Sequence, residues 1–238
     1  MKKLALVGII CLASIFYIKT TDATIIDDAR FICHTVNPLT DSVAFFWRDQ
    51  NGNRLETIGQ LRSWLKTQNK MLFFAVNGGM FNREFAPQGL YIENSSVVTP
   101  IDLGNGNGNF YMKPNGVFYI TTGDTAKIST SEDFVAGGVE YATQSGPMLV
   151  IDGSIHPAFK KGSKNLNIRN GVGVLPDNRI LFAMSKEKIN FHDFAMFFKN
   201  KGCKNALYLD GFVSGTYLPS GKWIQTEGKL GVIIAVTH

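Results

Sequence analysis

Met71-Leu72-Phe73-Phe74-Ala75-Val76 runs directly into Asn77-Gly78-Gly79-Met80-Phe81-Asn82. The first of these segments is a buried strand by composition; the second brings an amide, two glycines and an aromatic instead of an ordinary turn. Paired glycines allow φ > 0 or the close approach of another group. A similar junction returns near the C-terminus, where Ala206-Leu207-Tyr208-Leu209 delivers Asp210-Gly211. Two apolar strands that each present a polar group beside glycine point to a site carried on a β-scaffold.

Outward from these strands, residues 30–36 and 42–47 are strands around the Asn37-Pro38 turn, and residues 89–93, 117–121, 148–151 and 230–236 are strands. Residues 171–175 and 179–184 form a hairpin around Pro176-Asp177-Asn178, and Asp152-Gly153 is a hairpin turn. Ile58, Leu61, Trp64 and Leu65 recur at helical spacing within residues 55–68. Asn190 caps a second helix through about residue 199, with Phe191, Phe194, Ala195 and Phe198 as its apolar face and Gly202 ending it. Residues 131–135 read as one helical turn. Gly104-Asn105-Gly106-Asn107-Gly108-Asn109 neither follows a clear strand nor opens a helix, so it is a loop and not a dinucleotide fingerprint.

The 238 residues are 45% hydrophobic, with 18 Phe and 24 Gly. That suits one glycine-rich β-containing core and not a helical bundle. The expected fold class is therefore α+β: a single domain with a largely antiparallel or mixed β-sheet core and a few flanking helices.

Lys2-Lys3, the 15-residue apolar run 4–18 and Thr21-Asp22-Ala23 have the layout of an export signal cleaved after Ala23. The run is short of the roughly 20 residues that span a bilayer, so an uncleaved anchor is the alternative. Ile10 before Cys11 argues against lipidation. Residues 1–23 are thus read as signal peptide or N-terminal anchor, residues 24–238 as the domain, and the location as periplasmic or extracellular. Cleavage removes three lysines and one aspartate and takes the formal charge from +5 to +3. No basic run or stripe remains, which excludes nucleic acid as a partner, and the membrane is met only through the N-terminus. An oxidising compartment offers Cys33 and Cys203 a disulfide; two buried thiols are the alternative.

Four segments join glycine to polar groups at strand ends: Asn77-Gly78-Gly79-Met80-Phe81, Gln144-Ser145-Gly146-Pro147, Arg169-Asn170-Gly171-Val172-Gly173 and Asp210-Gly211-Phe212-Val213-Ser214. Pro87-Gln88-Gly89 supports the first. Asp210 follows an apolar strand and so belongs at the rim of the core, where a carboxylate can face positive charge in a transition state or act as nucleophile or base. Its bland counterpart is an Asx turn. Arg169 is the one arginine in these segments, with a fork suited to phosphate, or to a structural ion pair. Glu84 and His156 are the candidates for acid or base; His192 belongs to a helix, Glu93 could supply a second carboxylate, and Asp152 belongs to its turn. No His or Cys spacing fits zinc, and Gly211-Phe212-Val213-Ser214-Gly215 lacks the spacing of a nucleophile elbow. Asn94-Ser95-Ser96 fits a glycosylation sequon and is read as chance beside a bacterial-looking signal.

At these residues the chain resembles the phosphodiester glycosidase family, which includes the enzyme that removes N-acetylglucosamine from a sugar phosphodiester to uncover mannose 6-phosphate. The nearer resemblance is to an uncharacterised exported bacterial branch. It is carried by Asn77 to Phe81, Pro87-Gln88-Gly89-Leu90-Tyr91-Ile92-Glu93, Lys113-Pro114-Asn115-Gly116-Val117, Gln144-Ser145-Gly146-Pro147-Met148-Leu149, Ile168-Arg169-Asn170-Gly171-Val172-Gly173 and Leu209-Asp210-Gly211. The glycosidase resembles Leu-Asp-Gly-Gly at Asp210 and has a small residue after the arginine; here Phe212-Val213 follow Gly211 and Asn170 follows Arg169.

The resemblance implies hydrolysis of a sugar 1-phosphodiester at C1–O, with Asp210 and Arg169 catalytic. Asn77, Gly78, Gly79, Phe81, Gln88, Gln144, Ser145, Gly146, Asn170, Gly211 and Ser214 would hold substrate. The partner is a carbohydrate or sugar phosphate. No motif asks for a cofactor or metal, with a divalent cation left open. The alternative is a non-catalytic module that binds envelope glycans, for which Trp47 and Trp223 would be stacking platforms, whereas the helical position of Trp64 assigns it to the core.

Overall fold

The computed structural model describes residues 28–211 and 213–238, so the expected signal segment lies outside the described residues. In chain order the elements are β1 (Phe31–Val36), β2 (Ser42–Phe46), helix α1 (Ile58–Thr67), β3 (Leu72–Asn77), β4 (Tyr91–Glu93), β5 (Ser96–Thr99), β6 (Gly116–Thr121), β7 (Ala126–Thr130) and β8 (Val139–Ser145). Then come β9 (Met148–Ile151), β10 (Ser154–Ile155), β11 (Asn170–Val174), β12 (Ile180–Ser185), helix α2 (Phe191–Asn200), β13 (Asn205–Tyr208), β14 (Thr216–Leu218), β15 (Trp223–Ile224) and β16 (Ile233–Thr237).

These strands make three sheets, ordered β1-β12-β11-β13-β9-β10, β15-β14-β3-β16-β2 and β5-β4-β8-β6-β7. Every described ladder is antiparallel, so the expected α+β class holds in its β-rich form, without mixed pairing. The sheets close on one apolar centre. Val172, Phe182, Leu207 and Leu209 come to it from the first sheet, Phe74, Val76 and Ile234 from the second, and Tyr91 and Phe118 from the third. The helices cover outer faces. α2 lays Phe194, Ala195 and Phe198 on the first sheet with Ala206 and Tyr208, while α1 lays Ile58, Leu61 and Leu65 on the second with Ala75 and Ala235.

Local chemistry sets the helix ends. Thr57 caps α1 by accepting from Gln60 N at 3.0 Å. Asn190 caps α2 by accepting from Asp193 N at 2.8 Å, and Gly202 leaves the helix at φ +87°. The glycines of β11 serve α2. A Cβ on Gly173 would lie 2.6 Å from Cys203 Sγ and 2.8 Å from the Phe198 ring, and one on Gly171 would lie 3.2 Å from the Phe194 ring. Side chains that alternate along β11 therefore divide the work: 169, 171 and 173 face the helix, whereas Asn170 and Val172 face the other sheets.

Some expectations change here. β1 and β2 do not pair around Asn37-Pro38; they enter the first and second sheets, against β12 and β16. Residues 131–135 are a turn and a loop, not a helical turn. Cys33 and Cys203 form no disulfide. Cys33 lies on β1 and Cys203 packs over β11, with β12 between them; burial pushes the Cys203 thiol up to about 12. None of the described helices is long and apolar enough to cross a membrane.

Candidate active site

Four strand ends meet at Asp210. β3 ends at Asn77, β11 begins at Asn170, β8 ends at Ser145, and β13 runs out through Leu209 into Asp210. Asn77 Oδ1 accepts from Gly215 N at 3.0 Å and from Asn170 Nδ2. Asn170 Oδ1 in turn accepts from Asp210 N at 3.0 Å. Ser145 Oγ donates to Leu209 O, and Ser214 Oγ donates to Asp210 O at 3.1 Å. The segment bearing Asp210 is thus tied on both flanks by side chains from three sheets. Asn77, Ser145 and Asn170 are at most 2% exposed, and Asp210 is 9% exposed. Such a brace fixes the backbone that carries the carboxylate before any ligand arrives.

With both Oδ1 contacts of Asn77 coming from N–H donors, its amide orientation is fixed. Its Nδ2 is buried and has no hydrogen-bond partner among the described residues. An unmade hydrogen bond on a buried donor costs about 1–3 kcal/mol.

The double glycine has a steric reason. Gly78 N donates to Val232 O at 2.7 Å, and a Cβ on Gly78 would lie 2.8 Å from Val232 Cγ1. Gly79 N donates to Thr143 Oγ1 at 3.1 Å, and a Cβ there would lie 2.3 Å from that oxygen and 2.4 Å from Gln144 O. The segment threads between β16 and β8, so close approach is the demand; neither glycine has positive φ.

Several candidates stand elsewhere or in other roles. Arg169, expected to grip phosphate, is 0% exposed. Its Nε donates to Ile189 O at 2.8 Å and its Nη2 to Asn165 O at 3.0 Å; its guanidinium carbon lies 3.5 Å from the Phe191 ring centre. Burial lowers its pKa. A ligand does not reach a guanidinium in this position, so Arg169 stands behind the site and not on its surface. Gln144 is corrected from substrate group to tie: Oε1 accepts from Leu90 N and Asp102 N, each at 2.9 Å, and Nε2 donates to Asp102 O at 2.7 Å. Glu84 is exposed; its N–H donates to Asn82 Oδ1, its carbonyl accepts from Arg54, and neither bond reaches Asp210. Phe81 stacks on Phe85 at 5.2 Å and covers Gly231; Gln88 N donates to Met80 O at 2.8 Å; Gly146 packs on Asn115. Glu93 accepts from the Tyr91 hydroxyl at 2.6 Å, and burial raises its pKa.

His156 is corrected from acid or base to structural imidazole. It is 2% exposed, Nε2 lies 3.2 Å from Lys113 O, Nδ1 accepts from Ala158 N at 3.2 Å, and the ring stacks on Phe159. Burial lowers its pKa below 6.5, against the pull of the Lys113 carbonyl. As pH falls the unfolded chain therefore protonates first, so the stability this residue contributes is full above about pH 6.5 and drains below it. His156→Gln keeps a donor for Lys113 O, and its thermal melts are expected to lose part of the wild-type decline between about pH 6.5 and 5. An unchanged slope would show that the ring is not held neutral. His34, also lowered by burial, keeps its own share.

The residue that sequence reading passed over is Tyr208, 1% exposed and edge-on to Phe191 at 4.9 Å. Its signal was available: strand parity puts 208 and 210 on one face. Burial pushes the phenol well above its ordinary value, Asp210 adds to that, and Arg169 opposes it. Among the described residues no group of three or more His, Cys, Asp or Glu is arranged to hold a metal ion.

Comparison with known proteins places this geometry. The uncharacterized protein YigE of Escherichia coli strain K12 is 35% identical over 213 residues, covering 88% of this chain and 83% of that protein. The fold is similar to the catalytic domain of zebrafish N-acetylglucosamine-1-phosphodiester alpha-N-acetylglucosaminidase, auto-inhibited by its pro-peptide, with TM-score 0.60 and 14% identity over 88% of this chain and 84% of that one. A hypothetical protein from Synechocystis matches with TM-score 0.55 and 15% identity over 87% of this chain and 59% of that one. Residues 71–235, which carry all four strand ends of the Asp210 brace, match the phosphodiester glycosidase family, and the chain belongs to that family.

Proposed function

We propose that this chain is an exported hydrolase that cleaves the glycosidic C1–O bond of a sugar 1-phosphodiester or a related envelope glycan. Family membership supports the reaction class, and the positively charged, apolar N-terminal run supports export. The observation that carries the reading is the brace itself: a nearly buried Asp210 whose backbone is tied by side chains from three sheets, with the unpartnered Asn77 Nδ2 in the same hydrogen-bonded unit.

In this chemistry the C1–O bond breaks and its electron pair leaves on a phosphomonoester oxygen. That leaving group is already a weak base, so strong protonation by an acid is not required. Water then bonds to C1 and passes its proton, through solvent, to the departing phosphomonoester. Asp210 faces the charge that develops at C1, and Asn77, through Gly215 and Asn170, holds the segment that carries it. A carboxylate already in place stabilises that charge without reorganising during the reaction.

The test is product identity on a panel of sugar 1-phosphodiesters. Free sugar plus phosphomonoester is expected. Sugar 1-phosphate would mean P–O cleavage and overturn the assignment, and binding without turnover would mark a glycan-binding module. Asn77→Asp keeps the acceptor for Gly215 and Asn170 but swaps the unpartnered donor for an anionic oxygen. We expect kcat/KM to fall about tenfold to a hundredfold in that variant. Unchanged kinetics would show that the buried Asn77 amide plays no part in placing Asp210.

A further inference from the structure

The ladder between β11 and β13 pairs Gly171 with Tyr208. One step further out, Leu209 N donates to Asn170 O at 3.2 Å, and a second step sets 169 opposite 210. Parity then places Arg169, Tyr208 and Asp210 on the α2 face of the first sheet. Packing agrees. The Arg169 guanidinium carbon lies 5.6 Å from the Tyr208 ring centre, and Phe191 is wedged against both. Phe159 backs Phe191, stacked at 4.8 Å and 7°. The far end of Tyr208 reaches the turn after Asp210: a Cβ on Gly211 would lie 1.6 Å from the phenol oxygen. Only glycine fits there.

The buried cation therefore has an intermediary. Arg169 spends Nε and Nη2 on backbone carbonyls, its Nη1 has no partner among the described residues, and none of it is exposed. We infer that Tyr208 is a positioning residue: its phenol, packed beside Arg169 and against Gly211 on the face it shares with Asp210, fixes the carboxylate and carries the influence of the buried guanidinium to it. This rests on the reading of Asp210 as the catalytic carboxylate. A hydroxyl polarised by a neighbouring cation is a stronger donor toward an anion. Burial keeps the phenol protonated across the working range. The charged groups that bear on it are Arg169 and Asp210, while α2 offers it the uncharged ring of Phe191.

Tyr208→Phe removes one oxygen from an otherwise unchanged ring. Its kcat is expected to fall about tenfold to a hundredfold, with KM within about threefold. The acid limb of its kcat profile should move to higher pH, because the carboxylate loses a group that favours its ionised form. Arg169→Met should lower kcat in the wild-type background and change it less than about twofold in Tyr208→Phe, since one influence acts through the other. Tyr208→Phe with kcat within about twofold of wild type, or fully multiplicative losses in the double variant, would overturn the inference.

A readout free of turnover separates this idea from the functional one. The carbon-13 carboxyl resonance of Asp210, assigned by its loss in Asp210→Asn, is followed against pH in wild type and Tyr208→Phe. A midpoint that rises in the variant supports the coupling even if no sugar phosphodiester is cleaved, in which case only the functional reading falls. An unmoved midpoint in an active enzyme sinks the role of Tyr208 and leaves the functional reading standing.

Discussion

Asp210→Asn is expected to remain folded and to lose turnover of sugar 1-phosphodiesters by about 10³-fold or more. The two parts of that expectation have separate causes. The position is fixed by backbone and brace: Asp210 N to Asn170 Oδ1 at 3.0 Å, and Ser214 Oγ to Asp210 O at 3.1 Å. Neither bond uses the carboxylate, and asparagine has the same shape, so the fold is expected to persist. The loss is the negative charge facing C1. In a largely dry position that charge does more for an oxocarbenium ion than it would in water, because less solvent screens it. The measurement is kcat/KM for release of free sugar, set beside a urea unfolding curve of the same preparation. Retention of more than about a tenth of wild-type turnover would move the chemistry to another residue, whereas loss of activity with loss of fold would be explained by instability alone.

The legible part of this molecule is the part written in apolar pattern and glycine. The β3 and β13 strands, the β11–β12 hairpin and both helices follow from hydrophobic period, with the Asn190 cap marking the start of α2, and the strand ends at Asn77, Asn170 and Asp210 do converge. β8 is hidden from such a reading because Thr143, Gln144 and Ser145 are polar yet at most 1% exposed. A strand whose inward side chains are hydrogen-bonded instead of apolar carries no hydrophobic alternation to read. β5 is hidden for the opposite reason, since Val97 and Val98 are both exposed at a sheet edge. The role of Arg169 is illegible because the aromatic residue that most closely covers it, Phe191, comes from another element, helix α2. One-dimensional reading sees a cation beside glycines and assigns it to phosphate. Only packing shows that the cation is enclosed. His156 and Gln144 make the same point: each stands out for its chemistry, and each spends that chemistry on the backbone of a neighbouring loop.

Asn170→Ala should be the most damaging substitution that leaves the Asp210 carboxylate in the chain, for Asn170, expected to hold substrate, is fully buried and spends its amide on the brace. The amide of Asn170 joins the Asn77 side chain directly to the Asp210 backbone: Nδ2 donates to Asn77 Oδ1, and Oδ1 accepts from Asp210 N. Truncation leaves the Asp210 N–H without that acceptor in a nearly buried position, at a cost of about 1–3 kcal/mol. The cavity vacated by a fully buried side chain adds to the loss. Asn77 Oδ1 keeps the Gly215 N–H, so the second flank of the brace survives and the fold is expected to persist at lower stability. Activity should suffer more than stability. A carboxylate freed to shift by about 1 Å loses on the order of 10²-fold in rate even though its charge is intact. The expected pattern is therefore a lower urea midpoint with an unchanged m-value, together with a kcat reduced about a hundredfold at saturating substrate. Asn170→Asp sharpens the reading: it restores the acceptor for Asp210 N but turns the donor toward Asn77 Oδ1 into a second acceptor. If the bridge matters as a bridge, this variant too is slow, because one repaired end does not re-join the two segments. Full activity in Asn170→Asp would reduce the brace to the single bond at Asp210 N, and full activity in Asn170→Ala would mean that Asp210 is placed by its own strand and needs no brace at all.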